Sequence, residues 1–309
     1  MGILDGKIAI VTGSGHGIGR GEALELAEQG AKLVINDLGG SSIGEGSDKA
    51  AADDVVEVIK ARGGEAVANY DDVSDFGGAE NLINSAYEAF GGLDVVVNNA
   101  GIIRDKMIVS MSEDEFDSVI RVHLKGTFAV TKFACIRWRE RFKDGETVRA
   151  SIVNTVSSAG LVGNAAQANY GSAKAGIAAL TIITSLEGSR YGVRANAVAP
   201  GGVTRLTGAV IKDMELKEPD EFGEDEYNRL NPQNSAPMVA WLASDESMHV
   251  TGQVFRAVGK NIAHYEPWHL GAAIDNPKGD ARWDPAAIGP EVNASIFHSR
   301  HPGLKLGGG

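Results

Sequence analysis

Cysteine, positive charge and long hydrophobic runs are all scarce in this sequence. Cys135 is the single cysteine among 309 residues, so no disulfide can form within the chain. Lys and Arg number 29 against 41 Asp and Glu, a net charge of −12, which argues against nucleic-acid binding because phosphate contacts need surplus positive charge. No run approaches the roughly 18 apolar residues of a membrane span, and no export segment is recognisable. We therefore expect a cytoplasmic protein with no nucleic-acid or membrane partner.

Short apolar segments recur along the chain and alternate with segments of helical periodicity. The apolar segments span residues 7–11, 32–36, 65–69, 93–98, 151–156, 194–199 and 253–258. They lack strict alternation, which is typical of parallel strands covered on both faces. Helical periodicity is found at 21–29, 48–62 and 79–90, each ending at a glycine, and in the segment that a Ser112–Glu115 capping box opens. The pattern predicts an α/β protein: a doubly wound Rossmann fold with a seven-stranded parallel sheet and helices on both faces.

The alternation ends near residue 264. Residues 1–263 are predicted to form a single Rossmann-type domain, and residues 264–309 a Pro/Gly-rich extension packed on that domain or on a neighbouring subunit. The charged segment 212–229, which precedes the last strand, is interpreted as a mobile helical flap, with a solvated surface helix as the alternative.

A glycine-rich loop, VTGSGHGIGR, follows the first predicted strand at residues 11–20. In a doubly wound sheet this loop binds phosphates, because glycines allow close approach and the next helix presents unpaired N–H groups. Ordinary tight loops also use glycine, so the motif alone is weak. In this context it predicts a dinucleotide site that includes Gly13, Gly17, Ile18 and Gly19.

Asp37 ends the second predicted strand, about 20 residues after the loop. An acid there can accept hydrogen bonds from both hydroxyls of an adenosine ribose and repel a 2′-phosphate, which favours NAD over NADP. Two alternatives stay open: Asp37 only begins a turn, or Arg20 and His16 nearby accommodate a phosphate.

Tyr170 and Lys174 stand four residues apart and therefore on one face of a helix. An ammonium near a phenol favours the ionised phenol, so we expect Lys174 to lower the pKa of Tyr170 and make it a usable acid/base. Ser157 follows the fifth strand, where its hydroxyl could hold a substrate oxygen. The structural alternative is a core aromatic beside a surface charge.

The ordered set of motifs resembles the short-chain dehydrogenase/reductase family from residue 5 to about 260. The set comprises the glycine loop with Thr12, the Asn98–Gly101 stretch (NNAG), Ser157, and Tyr170 with Lys174. The resemblance implies that Tyr170 exchanges a proton with the alcohol, Ser157 holds its oxygen and Lys174 binds the nicotinamide ribose. It further implies a dimer or tetramer and an NAD site that also contains Asp72, Val73, Asn99, Gly101, Pro200, Gly201 and Val203.

Two positions depart from the usual family pattern. His123 stands where an Asn of the long helix helps to hold a water in a proton relay, and Arg205 stands where Thr is usual. A histidine can bind water and titrates near neutrality, so His123 is a candidate catalytic residue, with a structural histidine as the alternative.

Within the family, four stretches look most like the (3R)-hydroxyacyl-CoA dehydrogenase unit of peroxisomal multifunctional enzymes and its stand-alone bacterial relatives. They are VINDLGG, ARGGEAVANYDDV, RVHLKGTF and GNAAQANY. This resemblance implies an NAD-dependent oxidoreductase for a 3-hydroxyacyl-CoA, some relatives acting on steroids. An acidic protein needs a local basic patch to bind a polyanionic CoA, and the candidates are Arg104, Lys106, Arg205 and Lys212.

Three other functions remain as alternatives. They are a 3-oxoacyl carrier-protein reductase using NADPH, a hydroxysteroid dehydrogenase, and an NAD-sensing regulator without catalysis. Asp37 argues against the first, and the presence of Ser157, Tyr170 and Lys174 argues against the last. The seven histidines have no metal-ligand spacing, so no metal site is predicted.

Overall fold

A computed structural model of the chain describes residues 2–202, 217–222, 228–229, 231–266, 268–279 and 282–296. The chain divides into two compact units, Met1–Tyr265 and Glu266–Gly309. In the second unit the described residues contain one helix, Pro285–Ser295, which begins where the Asp284 side chain accepts a hydrogen bond from Ala286 N. The predicted Pro/Gly-rich extension therefore contains a helix.

An eight-stranded sheet forms the centre of the first unit in the described residues. Its strands are β1 Ile8–Thr12, β2 Lys32–Asn36, β3 Ala66–Asn69, β4 Val95–Asn98, β5 Ala150–Thr155, β6 Val193–Gly201, β7 Val254–Val258 and β8 Asn261–Tyr265. The order is β3-β2-β1-β4-β5-β6-β7-β8, with β1 to β7 parallel. The seven predicted strands are confirmed, each within two residues of its predicted bounds.

The eighth strand, β8, is an addition to the predicted sheet. It pairs antiparallel with β7, and the two residues between them, Gly259 and Lys260, make a hairpin in which Gly259 has a φ of 56°. Most side chains of β8 are exposed, so the strand lacks the apolar run that identified the other seven. It extends the sheet to Tyr265, two residues past the predicted domain boundary at 263.

Helices cover both faces of the sheet, as predicted. They are α1 Gly17–Glu28, α2 Ala50–Ala61, α3 Phe76–Phe90, α4 Glu113–Ile120, α5 Gly126–Lys143, α6 Ser158–Val162, α7 Ala168–Gly188 and α8 Ala236–Ala243, with α9 Pro285–Ser295 in the second unit. A π-helical turn, Arg121–Lys125, joins α4 to α5, and the capping box of Ser112 and Glu115 is present at the start of α4.

Alternate residues of the central strands β1, β2 and β4 belong to different hydrophobic clusters. Val11 and Ile35 pack in the cluster that contains residues of α1, α2 and α8, whereas Ile10 and Val34 pack in the cluster that contains residues of α3 and α5. Two-sided burial explains why the strands are apolar at successive positions. Among the described residues, no helix has the length and apolar character needed to cross a bilayer.

Candidate active site

A cavity opens at the carboxyl ends of the strands, where the chain order reverses between β1 and β4. Open parallel sheets bind ligands at such a reversal, because the loops from the two halves diverge there. Nine of the residues predicted to bind a dinucleotide line it: Gly13, Gly17, Ile18, Gly19, Asp37, Asp72, Val73, Asn99 and Gly101. The structure thus brings the adenosine and phosphate part of the predicted site together.

The glycine loop is held against the end of β4 by hydrogen bonds and by close packing. Asn99 Nδ2 donates to the carbonyl oxygens of Thr12 and Gly13, at 3.1 and 3.0 Å. A Cβ on Gly13, whose φ is +61°, would lie 2.7 Å from Ala100 Cα, and one on Gly19 would lie 2.2 Å from Gly13 O. The glycines are therefore required by packing within the chain, and the first turn of α1 is left facing the cavity.

Asp37 lies just after β2, with its carboxylate fixed by backbone donors. Oδ2 accepts from Gly15 N at 2.8 Å and Oδ1 from Gly39 N at 2.7 Å. Asp37 therefore begins a turn, and it also lines the cavity. Each oxygen keeps acceptor capacity for a further donor, because a carboxylate oxygen has two lone pairs.

An acidic segment, residues 217–222, lies on the first turn of α1. Glu218 Oε2 accepts from Gly17 N and Oε1 pairs with His16 Nδ1, both at 2.7 Å. Burial raises the pKa of Glu218, but the hydrogen bonds from His16 and Gly17 outweigh this effect and lower it overall. Within the predicted flap at 212–229 the structure describes only 217–222 and 228–229, and a 3₁₀ turn occupies Pro219–Glu221. The rest of the flap lies outside the described residues.

Arg20 is also bound by this segment. Its Nε and Nη2 donate to the two oxygens of Asp220, each at 2.7 Å, and its Nη1 donates to Asp54 at 2.6 Å. The Arg20 side chain is only 7% exposed. The two side chains that the sequence left open as phosphate-binding groups, His16 and Arg20, are therefore both paired with carboxylates.

Tyr170, Lys174 and Ser157 meet beside the carboxyl end of β5. Lys174 lies one turn after Tyr170 on α7, with Nζ 5.6 Å from the centroid of the phenol ring. Nζ is buried and donates to Thr155 O at 2.6 Å. Ser157 is the N-cap residue of α6, and its hydroxyl accepts from Ala159 N at 3.2 Å.

The expected lowering of the Tyr170 pKa by Lys174 is wrong in this structure. Burial raises the pKa of Tyr170 above 10, the hydrogen bond with Ser157 opposes that rise, and the charge of Asp105 adds to it. Burial also lowers the pKa of Lys174 to about 7, against the opposing charge of Glu22. Desolvation penalises the charged form of both groups. The protonated form of Lys174, which was expected to stabilise the phenolate, is therefore itself disfavoured by burial.

His123 lies on the π-helical turn with its ring edge-on to Tyr170, the centroids 5.2 Å apart. Its Nε2 lies 2.7 Å from Ile102 O and 3.0 Å from Ile102 N. A Cβ on Gly101 would lie 2.2 Å from His123 Cε1, so the glycine makes room for the imidazole. Burial lowers the pKa of His123 to about 3. The expectation that this histidine titrates near neutrality is therefore wrong, although it does adjoin Tyr170.

The remaining predicted positions lie either outside this cavity or outside the described residues. Pro200 and Gly201 end β6 and pair with β7, but they do not line the cavity described above. Val203, Arg205 and Lys212 lie outside the described residues. Of the other two proposed CoA contacts, Arg104 binds the carboxylate of Asp114 and donates to Ile43 O, whereas Lys106 is exposed.

Comparison with known proteins extends these observations. A family model described as enoyl-(acyl carrier protein) reductase matches residues 13–259. Hydroxyacyl-CoA dehydrogenase ChsB1 of Mycobacterium tuberculosis is 41% identical over 308 residues, which cover 97% of this chain and 91% of the relative. Peroxisomal multifunctional enzyme type 2 of Mus musculus is 41% identical over 251 residues, 81% of this chain but only 31% of that protein. A crystal structure of a short chain dehydrogenase from Mycobacterium avium is 45% identical, with a TM-score of 0.85 and complete coverage of both chains.

The chain belongs to the short-chain dehydrogenase/reductase family. It is an oxidoreductase that acts on CH–OH groups.

Three groups at the enzyme's candidate site were not singled out from the sequence. Glu22 on α1 is 1% exposed, and burial raises its pKa to about 8, against the opposing charge of Lys174. Its position four residues before the buried Leu26 was the available signal, because residues at i and i+4 share a helix face. The other two, Asp105 and Gln167, are hydrogen-bonded to each other near Tyr170.

Proposed function

We propose that the enzyme oxidises the secondary alcohol of a 3-hydroxyacyl-CoA with NAD as the hydride acceptor. The observation that carries this proposal is the grouping of Tyr170, Ser157 and Lys174 at the strand ends of a family member. The substrate class is supported by the relative named hydroxyacyl-CoA dehydrogenase, which matches almost the whole chain.

The donors and acceptors around the cavity fit a dinucleotide. Gly17 N in the first turn of α1 is bound by Glu218, and the N-cap residue His16 makes no side-chain cap hydrogen bond, so we propose that the N–H groups after Gly17 face the pyrophosphate. Asp37 supplies a fixed carboxylate for ribose hydroxyls at the end of β2. All the donors that Arg20 is seen to use go to Asp220 and Asp54, so Arg20 is committed to carboxylates, which supports NAD over NADP.

Each residue of the triad has a distinct part in the proposed mechanism. NAD, when bound, supplies the hydride acceptor. Ser157 donates a hydrogen bond to the substrate oxygen, and Tyr170 accepts the hydroxyl proton as the alcohol is oxidised. Lys174 binds the nicotinamide ribose, and its amine, when protonated, stabilises the phenolate of Tyr170.

The supporting residues complete the proposed site. Asp72, Val73, Asn99 and Gly101 line the adenosine side, and Pro200, Gly201 and Val203 contact the nicotinamide. His123 Nδ1 is buried without a partner among the described residues, so it can hold a water of the proton relay in place of the usual Asn. The imidazole acts there as a neutral hydrogen-bonding group, because its pKa is about 3.

We further propose that the enzyme is a homodimer or homotetramer. Large apolar side chains on α5 and α7 are exposed in the single chain, among them Phe128, Ile136, Phe142, Ile183 and Leu186. Several large apolar side chains exposed on the same two helices are consistent with a protein interface. For the CoA moiety, Lys106 remains the proposed contact, and an unchanged KM for a CoA ester after Lys106→Ala would refute it.

Initial rates of NAD and NADP reduction test the proposal most completely. The panel contains (3R)- and (3S)-hydroxyacyl-CoA esters of several lengths and hydroxysteroids, with reduction of a 3-oxoacyl carrier protein measured in reverse. We expect NAD-linked turnover of hydroxyacyl-CoA esters. Exclusive NADPH-linked reduction of the carrier-protein substrate would instead establish the alternative of a 3-oxoacyl carrier-protein reductase. Binding of NADH without turnover of any substrate would contradict the proposed substrate class.

A further inference from the structure

The loop after β4 is bonded to the turn that begins α7, close to Tyr170. Lys106 N donates to Ala166 O at 2.9 Å, and Asn169 Nδ2 donates to Arg104 O at 2.8 Å. Ala166 has a φ of 66°, the one non-glycine residue with a positive φ among those the structure describes. A side chain costs energy in that conformation, so the neighbouring contacts must impose it. The position of Tyr170 therefore depends on the loop at 104–106.

Asp105 is the side chain of that loop that reaches α7. Its Oδ2 accepts from Gln167 Nε2 at 2.7 Å, and Gln167 is the N-cap residue of α7, three positions before Tyr170. Its Oδ1 is buried and has no hydrogen-bond partner among the described residues. When this carboxylate is ionised, its charge acts strongly on neighbouring groups, because little water is present at the buried oxygen to screen it.

Four polar groups surround the phenol of Tyr170, one from each neighbouring element. Ser157 comes from the junction of β5 and α6, His123 from the π-helical turn, Lys174 from α7 itself and Asp105 from the loop after β4. Besides burial, the charge of Asp105 raises the pKa of Tyr170, whereas Ser157 lowers it. Burial raises the pKa of Asp105 as well, and the hydrogen bond from Gln167 opposes that rise.

We propose that Asp105 is a positioning residue for Tyr170: it fixes the first turn of α7 through Gln167, and it places a carboxylate with a buried, unpartnered oxygen beside the turn that carries the phenol. A negative charge there disfavours the phenolate. This inference rests on the proposed role of Tyr170 as the acid/base. Its consequence is directional. A protonated phenol is the form that gives a proton to a ketone, so Asp105 extends reduction toward alkaline pH and moves the onset of oxidation to higher pH.

Three variants separate the charge of Asp105 from its hydrogen bond. Asp105→Asn keeps an acceptor for Gln167 and removes the charge, Gln167→Ala keeps the charge and removes the hydrogen bond, and Asp105→Glu keeps the charge as a control. The first readout is the absorbance titration of Tyr170 at 295 nm, taken as the difference from the same protein carrying Tyr170→Phe. The second is the pH dependence of kcat/KM for oxidation of the most active alcohol.

We expect Asp105→Asn to move both midpoints to lower pH by about half a unit to one unit, the size of a nearby like-charge effect. Asp105→Glu leaves them within about 0.2 unit, while Gln167→Ala lowers kcat about tenfold with little change in either midpoint. Circular dichroism and the Kd for NADH report on folding, and Asp105→Ser replaces Asp105→Asn if the latter does not fold.

Identical midpoints in the wild type and Asp105→Asn would overturn the electrostatic part of the inference. An unchanged kcat in Gln167→Ala would overturn the positioning part. The absorbance titration needs no substrate, so it gives its answer even if no alcohol in the panel is oxidised. A failure of the proposed function is thereby distinguished from a failure of this inference.

Discussion

At the scale of single residues, burial sets the protonation of the groups around Tyr170. It raises the pKa of Glu22 to about 8 and lowers that of Lys174 to about 7, and the charge of each opposes the shift of the other. Each side chain is therefore ionised more readily when the other is charged, so the positive charge of Lys174 that the proposed mechanism needs is supported by Glu22.

The buried imidazole of His123 gives a prediction for stability against pH. Its pKa is 6.5 in the unfolded chain and about 3 in the fold, so below pH 6.5 the unfolded chain binds a proton that the folded chain does not. Stability present above pH 6.5 is consequently lost as the pH falls, by about 2 kcal/mol at pH 5. Urea unfolding of His123→Asn, at fixed protein concentration, should show a loss between pH 7 and pH 5 that is smaller by that amount. Equal losses in the two proteins would contradict the assigned burial.

At the scale of elements, the start of α1 depends on a segment distant in sequence. Glu218 accepts from Gly17 N, and Asp220 binds Arg20 with both oxygens. A carboxylate at a helix N-terminus is stabilising because the unpaired N–H groups there carry partial positive charge. The acidic segment at 217–222 therefore stabilises the same end of α1 that we propose binds a pyrophosphate.

The two aspartates that bind Arg20, Asp220 and Asp54, provide a matched pair of variants. The side chain of Asp220 is 15% exposed, whereas that of Asp54 is 62% exposed. Asp220→Asn should lower the free energy of unfolding by about 1–3 kcal/mol, because it leaves a buried guanidinium with Asp54 as its one remaining carboxylate partner. Asp54→Asn should cost less than about 1 kcal/mol, as exposed ion pairs do. Chemical denaturation measures both, and an equal or reversed order would show that Asp220 does not anchor the segment.

At the scale of the whole molecule, the parts that local sequence pattern determines were predicted and the parts that depend on distant contacts were not. The seven parallel strands follow from apolar runs buried on two faces. The nine predicted cavity residues follow from the glycine loop, from the acid after the second strand and from the resemblance to the family. β8 was missed because its side chains are exposed. The shifts at Tyr170, Lys174 and His123 went against prediction because desolvation depends on tertiary packing, which spacing along a helix does not reveal.

The boundary between the two units gives a prediction at this scale. A chain ending after Tyr265 should fold and bind NADH, because the sheet, the hydrophobic clusters and the cavity belong to the first unit. A chain ending at residue 263 loses the last two residues of β8, including the Tyr265 hydroxyl that lies 2.9 Å from Ser158 Oγ. We expect its melting temperature to be lower by a few degrees, the effect of losing about 1 kcal/mol. Failure of the chain ending at Tyr265 to fold would show that the first unit requires residues 266–309.

The central claim is that Tyr170 exchanges the proton with the substrate in an NAD-dependent oxidation. Its most direct test compares NADH formation by the wild type and Tyr170→Phe, with the Kd for NADH measured on the same preparations. We predict that kcat falls at least a hundredfold, the contribution of a positioned acid/base, while the Kd for NADH stays within about twofold. A variant that retains wild-type activity would contradict the account, because no other phenol contacts Ser157 and Lys174 in the described part of the chain.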